Sequence, residues 1–266
     1  MVRMVDRGNE KDFFKVLDAH PLFGTTIRAN YEVYGLDERY LSLWLIYDED
    51  AAAHMVVQYY HETLTLCCAP EDDNSRFFAS FLSVAPHWRS IIGPERMLSS
   101  LPARITDGKG MRTGNVMVLD GLPAPAVPPK GTVLSESPNP RRLFALLGEC
   151  SDEYKKRADY HLWYTDLAYR LRHGGARVNV LKANGLYAST ASAYLAQDKA
   201  VVRDVCTLYE LRRRGYAKAA VAALCCGLCN DAVTPYLLSV SPEADVLYHS
   251  LGFRVQSIWA ALYNTL

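Results

Sequence analysis

Residues 201–218 read Val-Val-Arg-Asp-Val-Cys-Thr-Leu-Tyr-Glu-Leu-Arg-Arg-Arg-Gly-Tyr-Ala-Lys: a β-branched run, a short turn, and the opening of an apolar helix that continues to about Cys229. A chain with this junction sets a strand and a helix end to end. The first backbone N–H groups of that helix have no carbonyl partners within it. The helix dipole puts partial positive charge at the same end, and Arg212, Arg213 and Arg214 add more of that sign. An anion suits the position. Gly215 lets a large anion approach the backbone, and Ala217 obstructs little more. A pyrophosphate meets the description.

A second segment follows in register: Ser241-Pro242-Glu243-Ala244-Asp245-Val246-Leu247-Tyr248-His249-Ser250-Leu251-Gly252-Phe253. Arg212 to Ala217 resembles the (Arg/Gln)-x-x-Gly-x-(Gly/Ala) acetyl-coenzyme A signature of the GCN5-related N-acetyltransferases, the GNAT superfamily, and Val205-x-Thr207 precedes it at the usual distance. Residues 241–253 resemble that family's Asn-x-x-Ala-x-x-Leu-Tyr-x-x-Leu-Gly-Phe segment. The resemblance covers roughly residues 140 to 266. Its one departure is Ser241 in place of Asn, which bears on a side-chain contact to the pantetheine arm.

The 266 residues, half of them apolar, suffice for one large core or two modest ones, and the pattern favours two. Lys and Arg (29) balance Asp and Glu (29), so no overall basic field favours nucleic acid. A small-molecule or peptide partner fits better. The charged first residues and the lack of any stretch near the roughly 20 apolar residues of a membrane span predict a chain with no membrane partner and no export signal. Seven cysteines, an odd number, scattered or adjacent, do not make a disulfide framework. A reducing cytoplasm is the expected compartment.

Along the chain, apolar spacing predicts helices over 9–19 and from Pro21 to about Tyr34, then strands over 41–47, 53–60 and 62–68. A helix over 74–85, a short extended pair at Ile91-Ile92, a helix over 94–101 and a strand near 111–119 follow. From Asp120 to Asn139 five prolines and two glycines read as an extended linker that holds no helix or central strand. Helices over 140–149 and 159–173 come next, the first opened by Asn139 and Pro140. Residues 176–183, Asn184-Gly185 and 186–196 read as a hairpin with a type I′ turn. The strand into Thr207, the helix from Tyr216, a strand over 236–240, a helix over 242–251 and a strand over 254–263 complete the order.

Both halves thus present helix, helix, three strands, helix, strand, helix, strand. The expected class is α/β, with two GNAT-like lobes, each a mixed, mostly antiparallel central sheet flanked by helices. Residues 1–120 form a degenerate lobe, 121–139 a linker and 140–266 the catalytic lobe. Where the second half has Arg212 to Gly215, the first has Ala69-Pro70-Glu71-Asp72-Asp73-Asn74. Three carboxylates there suit a helix N-terminus but repel a pyrophosphate, so the first lobe should not bind coenzyme A. Its expected role is to shape the acceptor cleft or an oligomer interface, which leaves a homodimer open.

The resemblance implies acyl transfer from acetyl-CoA to an amine by direct attack on the thioester, with no metal. It implies that amides from Arg213 to Lys218, including those of Gly215, Tyr216 and Ala217, take the pyrophosphate. The Val205, Cys206 and Thr207 backbone pairs with the pantetheine arm in the splay beside the 236–240 strand, and the amide of Val205 or Cys206 faces the thioester oxygen. Tyr248 stands at the general-acid position, and a phenol can donate to a departing thiolate. Three sources of a general base stay open. They are Asp204 on the strand, which alternation sends to the face opposite Arg203 and Val205; Asp166, also placed to pair with Arg170 at i,i+4 spacing; and a water chain.

Plainer readings stand beside these. Cys225, Cys226 and Cys229 contain a C-x-x-C, but they lie in an apolar helix with no second Cys or His pair at zinc spacing, so core packing is expected, as for Cys67 and Cys68. Cys206 has no adjacent His to activate it. Arg170, Arg172 and His173 suit a helix C-terminus, and Tyr160, Trp163, Tyr164 and Tyr169 suit core and groove lining. Two alternatives to the acetyltransferase reading remain: a tandem acyltransferase like glycine N-acyltransferases or mycothiol synthase, and an acyl-CoA-binding sensor without turnover.

Overall fold

The computed structural model describes residues 1–36, 41–72 and 75–264, with backbone only at residues 153 and 157. In chain order the elements are β1 (Val2–Met4), α1 (Glu10–Leu17), α2 (Pro21–Tyr34), β2 (Ser42–Tyr47), β3 (Ala53–Tyr60), β4 (Thr63–Cys67), α3 (Ser75–Leu82), β5 (Ser90–Pro94), α4 (Glu95–Ser99), α5 (Ala103–Thr106) and β6 (Gly110–Val118). There follow β7 (Thr132–Ser135), α6 (Pro140–Cys150), α7 (Asp152–Arg157), α8 (Tyr160–Arg172), β8 (Ala176–Ala183), β9 (Leu186–Ala196), β10 (Lys199–Thr207), α9 (Tyr216–Asn230), β11 (Thr234–Ser239), α10 (Pro242–His249) and β12 (Arg254–Tyr263). The expected helix at 74–85 starts at Ser75; Asn74 lies outside the described residues.

Two compact units divide the chain: Met1–Val116 with Val255–Leu266, and Met117–Arg254. In the first, β1, β2, β3 and β4 pair antiparallel in succession, β4 pairs parallel with β5, and β12 pairs antiparallel with β5. In the second, β7, β8, β9 and β10 pair antiparallel in succession, and β10 pairs parallel with β11. The succession is the same in both. Each unit is therefore a mixed, mostly antiparallel sheet flanked by helices.

β1, α5, α7 and β7 stand outside the expected order, and β12 falls in the other unit. The proline-rich stretch contains β7, whose residues 132–135 fall between Pro129 and Pro138 and, among the described residues, pair with β8 alone. An edge strand needs donors on one side alone, so the nearby prolines cost it no ladder bonds. The expected 121–139 linker lies inside the second unit, and β12, expected with 140–266, belongs to the first, where Trp259 to Tyr263 pair with Pro94 to Ser90.

Local chemistry sets the element ends. Asn184 (φ 50°) and Gly185 (φ 77°) form the type I′ turn between β8 and β9. Asn139, Ser151, Asp159 and Ser241 each accept a backbone N–H of the helix they open. Gly24 on α2 faces the C-terminal end of α1, where a Cβ would run into the Leu17 carbonyl. In the second unit α9 lays Ala219, Ala220, Leu224, Cys225 and Leu228 against Ala191, Ala193, Val202 and Leu237 of the sheet. The alanines let the helix sit close, and each fully buried Leu contributes about 1.5–3 kcal/mol.

The first unit holds a buried histidine with a consequence for stability. His20 is 1% exposed, its Nε2 lies 3.2 Å from Ser257 Oγ, and its Nδ1 has no hydrogen-bond partner among the described residues. Burial pulls its pKa from 6.5 down to about 4. Between those values the unfolded chain takes up a proton that the folded one refuses. Stability is therefore full above pH 6.5 and falls as the pH drops towards 4, by on the order of 3 kcal/mol. Urea unfolding at pH 7 and pH 4.5 should show this loss, and His20→Gln should flatten it; an equal loss in the variant would exclude His20 as its source.

Candidate functional site

β10 and β11 are in register only from Lys199 opposite Thr234 to Val202 opposite Leu237. Beyond that point β10 stays bonded to β9 on its other side, with Cys206 opposite Thr190 and Thr207 opposite Ser189. Between Arg203 and Cys206 the β9–β10 register shifts, and Asp204 takes φ 51°. This is a β-bulge, which bends a strand and re-aims its side chains. Among the described residues β10 has no register partner on β11 past Val202, while its pairing with β9 runs on to Thr207.

A cavity of about 530 Å³ occupies that gap. Val205, Cys206 and Thr207 line one side, Val240, Ala244, Leu247 and Tyr248 another, and Arg212, Arg213, Gly215, Tyr216, Ala217 and Lys218 close one end. Arg214 is exposed and is not among the lining residues. The turn is shaped by backbone in the left-handed region at Arg213 (φ 62°) and Gly215 (φ 88°). Arg212 is held by its Nε donating to Thr207 O at 3.2 Å, with its guanidinium over the Tyr209 ring. Gly215 is the N-cap residue of α9 and has no side chain to bond the first amides of that helix. A Cβ built there meets nothing within 4 Å, so the space before the helix is open.

α10 supplies the opposite wall. Tyr248 is 7% exposed, and burial, with the Cys225 thiol nearby, pushes its pKa up to about 12. Its phenol therefore keeps its proton through neutral pH. Ser241 is not among the lining residues; its Oγ accepts from Ala244 N at 3.2 Å and caps α10. Glu243 lines the cavity, and its carboxyl is held below the usual range by its own backbone N–H, by Ser241 and by Arg213.

Asp204 does not follow strand alternation. Its Oδ2 accepts from Ser192 Oγ at 2.7 Å and lies 3.4 Å from Arg203 Nε, so it shares a face with Arg203 rather than opposing it. The bulge is the cause, because alternation holds only for regular strand backbone. Asp204 lines a small separate pocket with Trp163, Thr190, Ser192 and Tyr194. Asp166 lines neither cavity: its Oδ1 accepts from Arg170 Nε at 2.8 Å and its Oδ2 from Tyr194 OH at 2.9 Å. The i,i+4 pairing with Arg170 is thus the one formed.

Other residues enter the site without a signal in the sequence. Cys150, at the end of α6, lines the main cavity, and the Cys206 thiol lowers its pKa. The Tyr154 hydroxyl on α7 is buried without a partner, and burial and the Asp204 charge raise its pKa. Only a helix-to-strand contact brings these residues together, and no local pattern encodes it. Of the cysteines expected in cores, Cys67, Cys68 and Cys225 are buried, whereas Cys226 is exposed and Cys229 half-buried with its thiol on Gly121 O. Apolar residues on all sides of α9 hid which face meets the sheet. In the first unit Asp72, from the acidic segment at 69–74, lies 2.9 Å from His54 Nδ1; Asp73 and Asn74 are outside the described residues.

No helix among the described residues is long and apolar enough to cross a membrane. No family model matches the sequence, and no curated protein sequence matches it. Solved structures do. A GCN5-related N-acetyltransferase from Sphaerobacter thermophilus is similar with a TM-score of 0.66 and 14% identity, over 99% of this chain and 95% of that one. A GCN5-related N-acetyltransferase-like protein from Streptococcus suis 89/1591 is similar with a TM-score of 0.61 and 16% identity, over 96% of this chain and 98% of that one. A tandem GNAT protein from the clavulanic acid biosynthesis pathway is similar with a TM-score of 0.57 and 14% identity, over 99% of this chain and 98% of that one. At these identities the likeness is one of fold, and along nearly its whole length this chain has the fold of the GCN5-related N-acetyltransferases.

Proposed function

We propose that the protein transfers an acetyl group from acetyl-CoA to a primary amine of a small molecule or peptide. The observation that carries this is the continuity of one cavity, from the end of β10 at 205–207, past its pairing with β11, to the N-terminus of α9, which no side chain caps. These residues fit the carrier. An open left-handed Gly215, free helix amides and the Arg212, Arg213 and Lys218 charges suit a diphosphate, and a strand edge suits an amide-bearing arm. When bound, acetyl-CoA supplies an activated acyl carbon to a neutral amine.

The chain's own residues do the rest. Amides of Arg213 to Lys218 hold the diphosphate, and the Val205–Thr207 backbone aligns the arm as an added strand. The Val205 amide, at the bulge, donates to the carbonyl oxygen, where a preorganised donor gains most as charge develops. Asp204, held by Ser192 in its separate pocket, takes up the amine proton by way of a water. Tyr248 keeps its proton to donate to the leaving sulfur.

Free thiol should appear when protein, acetyl-CoA and a panel of amines are mixed, only with the right amine present. Cofactor binding without thiol release across a broad panel would favour the sensor. Tyr248→Phe should lower kcat by roughly 100-fold with little change in KM for acetyl-CoA. Because its pKa is about 12, the pH profile between 6 and 9 should keep its shape in the variant. A profile that changes shape there would show that Tyr248 titrates in that range and remove it from this role.

A further inference from the structure

We propose that Cys150 and Cys206 form a reversible oxidation site inside the main cavity, at which a low-molecular-weight disulfide converts the two thiols to a bridge. The proposal rests on the acyl-CoA reading only for where the bridge takes effect.

Three observations carry it. Both residues line the same cavity, so a small disulfide reaching its wall meets both. They stand at the end of α6 and at the bulged end of β10, two elements that pack on each other. They also differ in character: the Cys206 thiol, together with the nearby Arg212 guanidinium, lowers the Cys150 pKa against the pull of burial. Cys150, with burial, raises that of Cys206. Such a pair has an attacking thiolate and a resolving thiol. None of the other five cysteines lines this cavity, and Cys67, Cys68 and Cys225 are buried with raised pKa values.

The steps balance without any other reactant. The Cys150 thiolate attacks one sulfur of a disulfide R–S–S–R, forms Cys150–S–S–R and expels R–S⁻, which takes up the proton Cys150 gave up. Cys206 then loses its proton and attacks the Cys150 sulfur, expelling the second R–S⁻, which is protonated in turn. The two protein thiols are oxidised and the small disulfide is reduced to two thiols. The bridge ties α6 to β10 across the wall where the Val205–Thr207 backbone is offered to an incoming chain. A thiol reductant reverses it.

Coenzyme A disulfide and glutathione disulfide, each added to the reduced full chain, separate the sources. Expected from at least one is a loss of two hydrogens in intact mass, a Cys150–Cys206 peptide link, and coenzyme A affinity weakened about tenfold and restored by reductant. Cys206→Ser should stop at the mixed disulfide, heavier by one thiol moiety, and Cys150→Ser should remain unmodified at this wall. Faster reaction with coenzyme A disulfide assigns that source, and equal rates assign any small disulfide. If reduced protein binds coenzyme A in calorimetry yet neither disulfide links these cysteines, the proposal is overturned while the functional reading stands. If the bridge forms but reduced protein binds no coenzyme A, the site stands and the functional reading falls.

Discussion

Replacing Arg170 with methionine is expected to destabilise the second unit by about 3–5 kcal/mol. Arg170 is fully buried, donates from Nε to Asp166, and lies 4.1 Å from the centroid of the Tyr194 ring, which has Arg203 4.2 Å from the same centroid. Removing the guanidinium leaves the Asp166 carboxylate, only 14% exposed, without its charge partner, and deprives the ring of a cation. Lysine would not repair it, since a point charge on a flexible stem lacks the planar group that stacks on the ring. The urea transition followed through Trp163, the one tryptophan of the second unit, reads the loss. Asp166→Leu added to Arg170→Met should recover much of it, because both members of the pair are then gone. A single-variant loss under about 1 kcal/mol would mean the pair is solvated, against its burial here.

Gly215→Glu is expected to weaken coenzyme A binding roughly 1,000-fold while the chain still folds cooperatively. A carboxylate about 4 Å from a phosphate charge near a protein surface costs about 4 kcal/mol, which corresponds to that factor. The side chain has room, since a Cβ meets nothing within 4 Å, so the effect is not a clash. The φ of 88° adds backbone strain of about 1–3 kcal/mol in any substituted residue. Gly215→Ala isolates that strain without the charge. Calorimetric titration of all three proteins separates the two: the alanine variant should bind far better than the glutamate one. Equal binding by Gly215→Glu and the unmodified chain would move the diphosphate elsewhere.

The parts of this account that were legible in the sequence are those encoded within a few residues. The Asn184-Gly185 turn, Pro140 behind its Asn139 cap, and the strand–turn–helix at 201–218 depend on backbone preferences and periodicity, and each stands where expected. The rest depends on contacts distant in sequence. β12 pairs with β5, some 165 residues away in the chain, and nothing in residues 254–263 names that partner. The bulge at Asp204 exists because two strands shift register, and an alternation rule applied to β10 alone put that carboxylate on the wrong face. Cys150 joins the cavity wall through α6 packing on β10, and Tyr154 feels the Asp204 charge from a helix of six residues that periodicity did not resolve. A strand in a proline-rich stretch was missed because composition over 120–139 hid the proline-free residues 130–137.

Amide hydrogen exchange of the full chain with and without acetyl-CoA tests the central claim most directly. Slowed exchange concentrated at residues 205–207 and 213–218 is the predicted result, because those amides bond the arm and the diphosphate. Protection centred on other residues, or none at saturating acetyl-CoA, would contradict it.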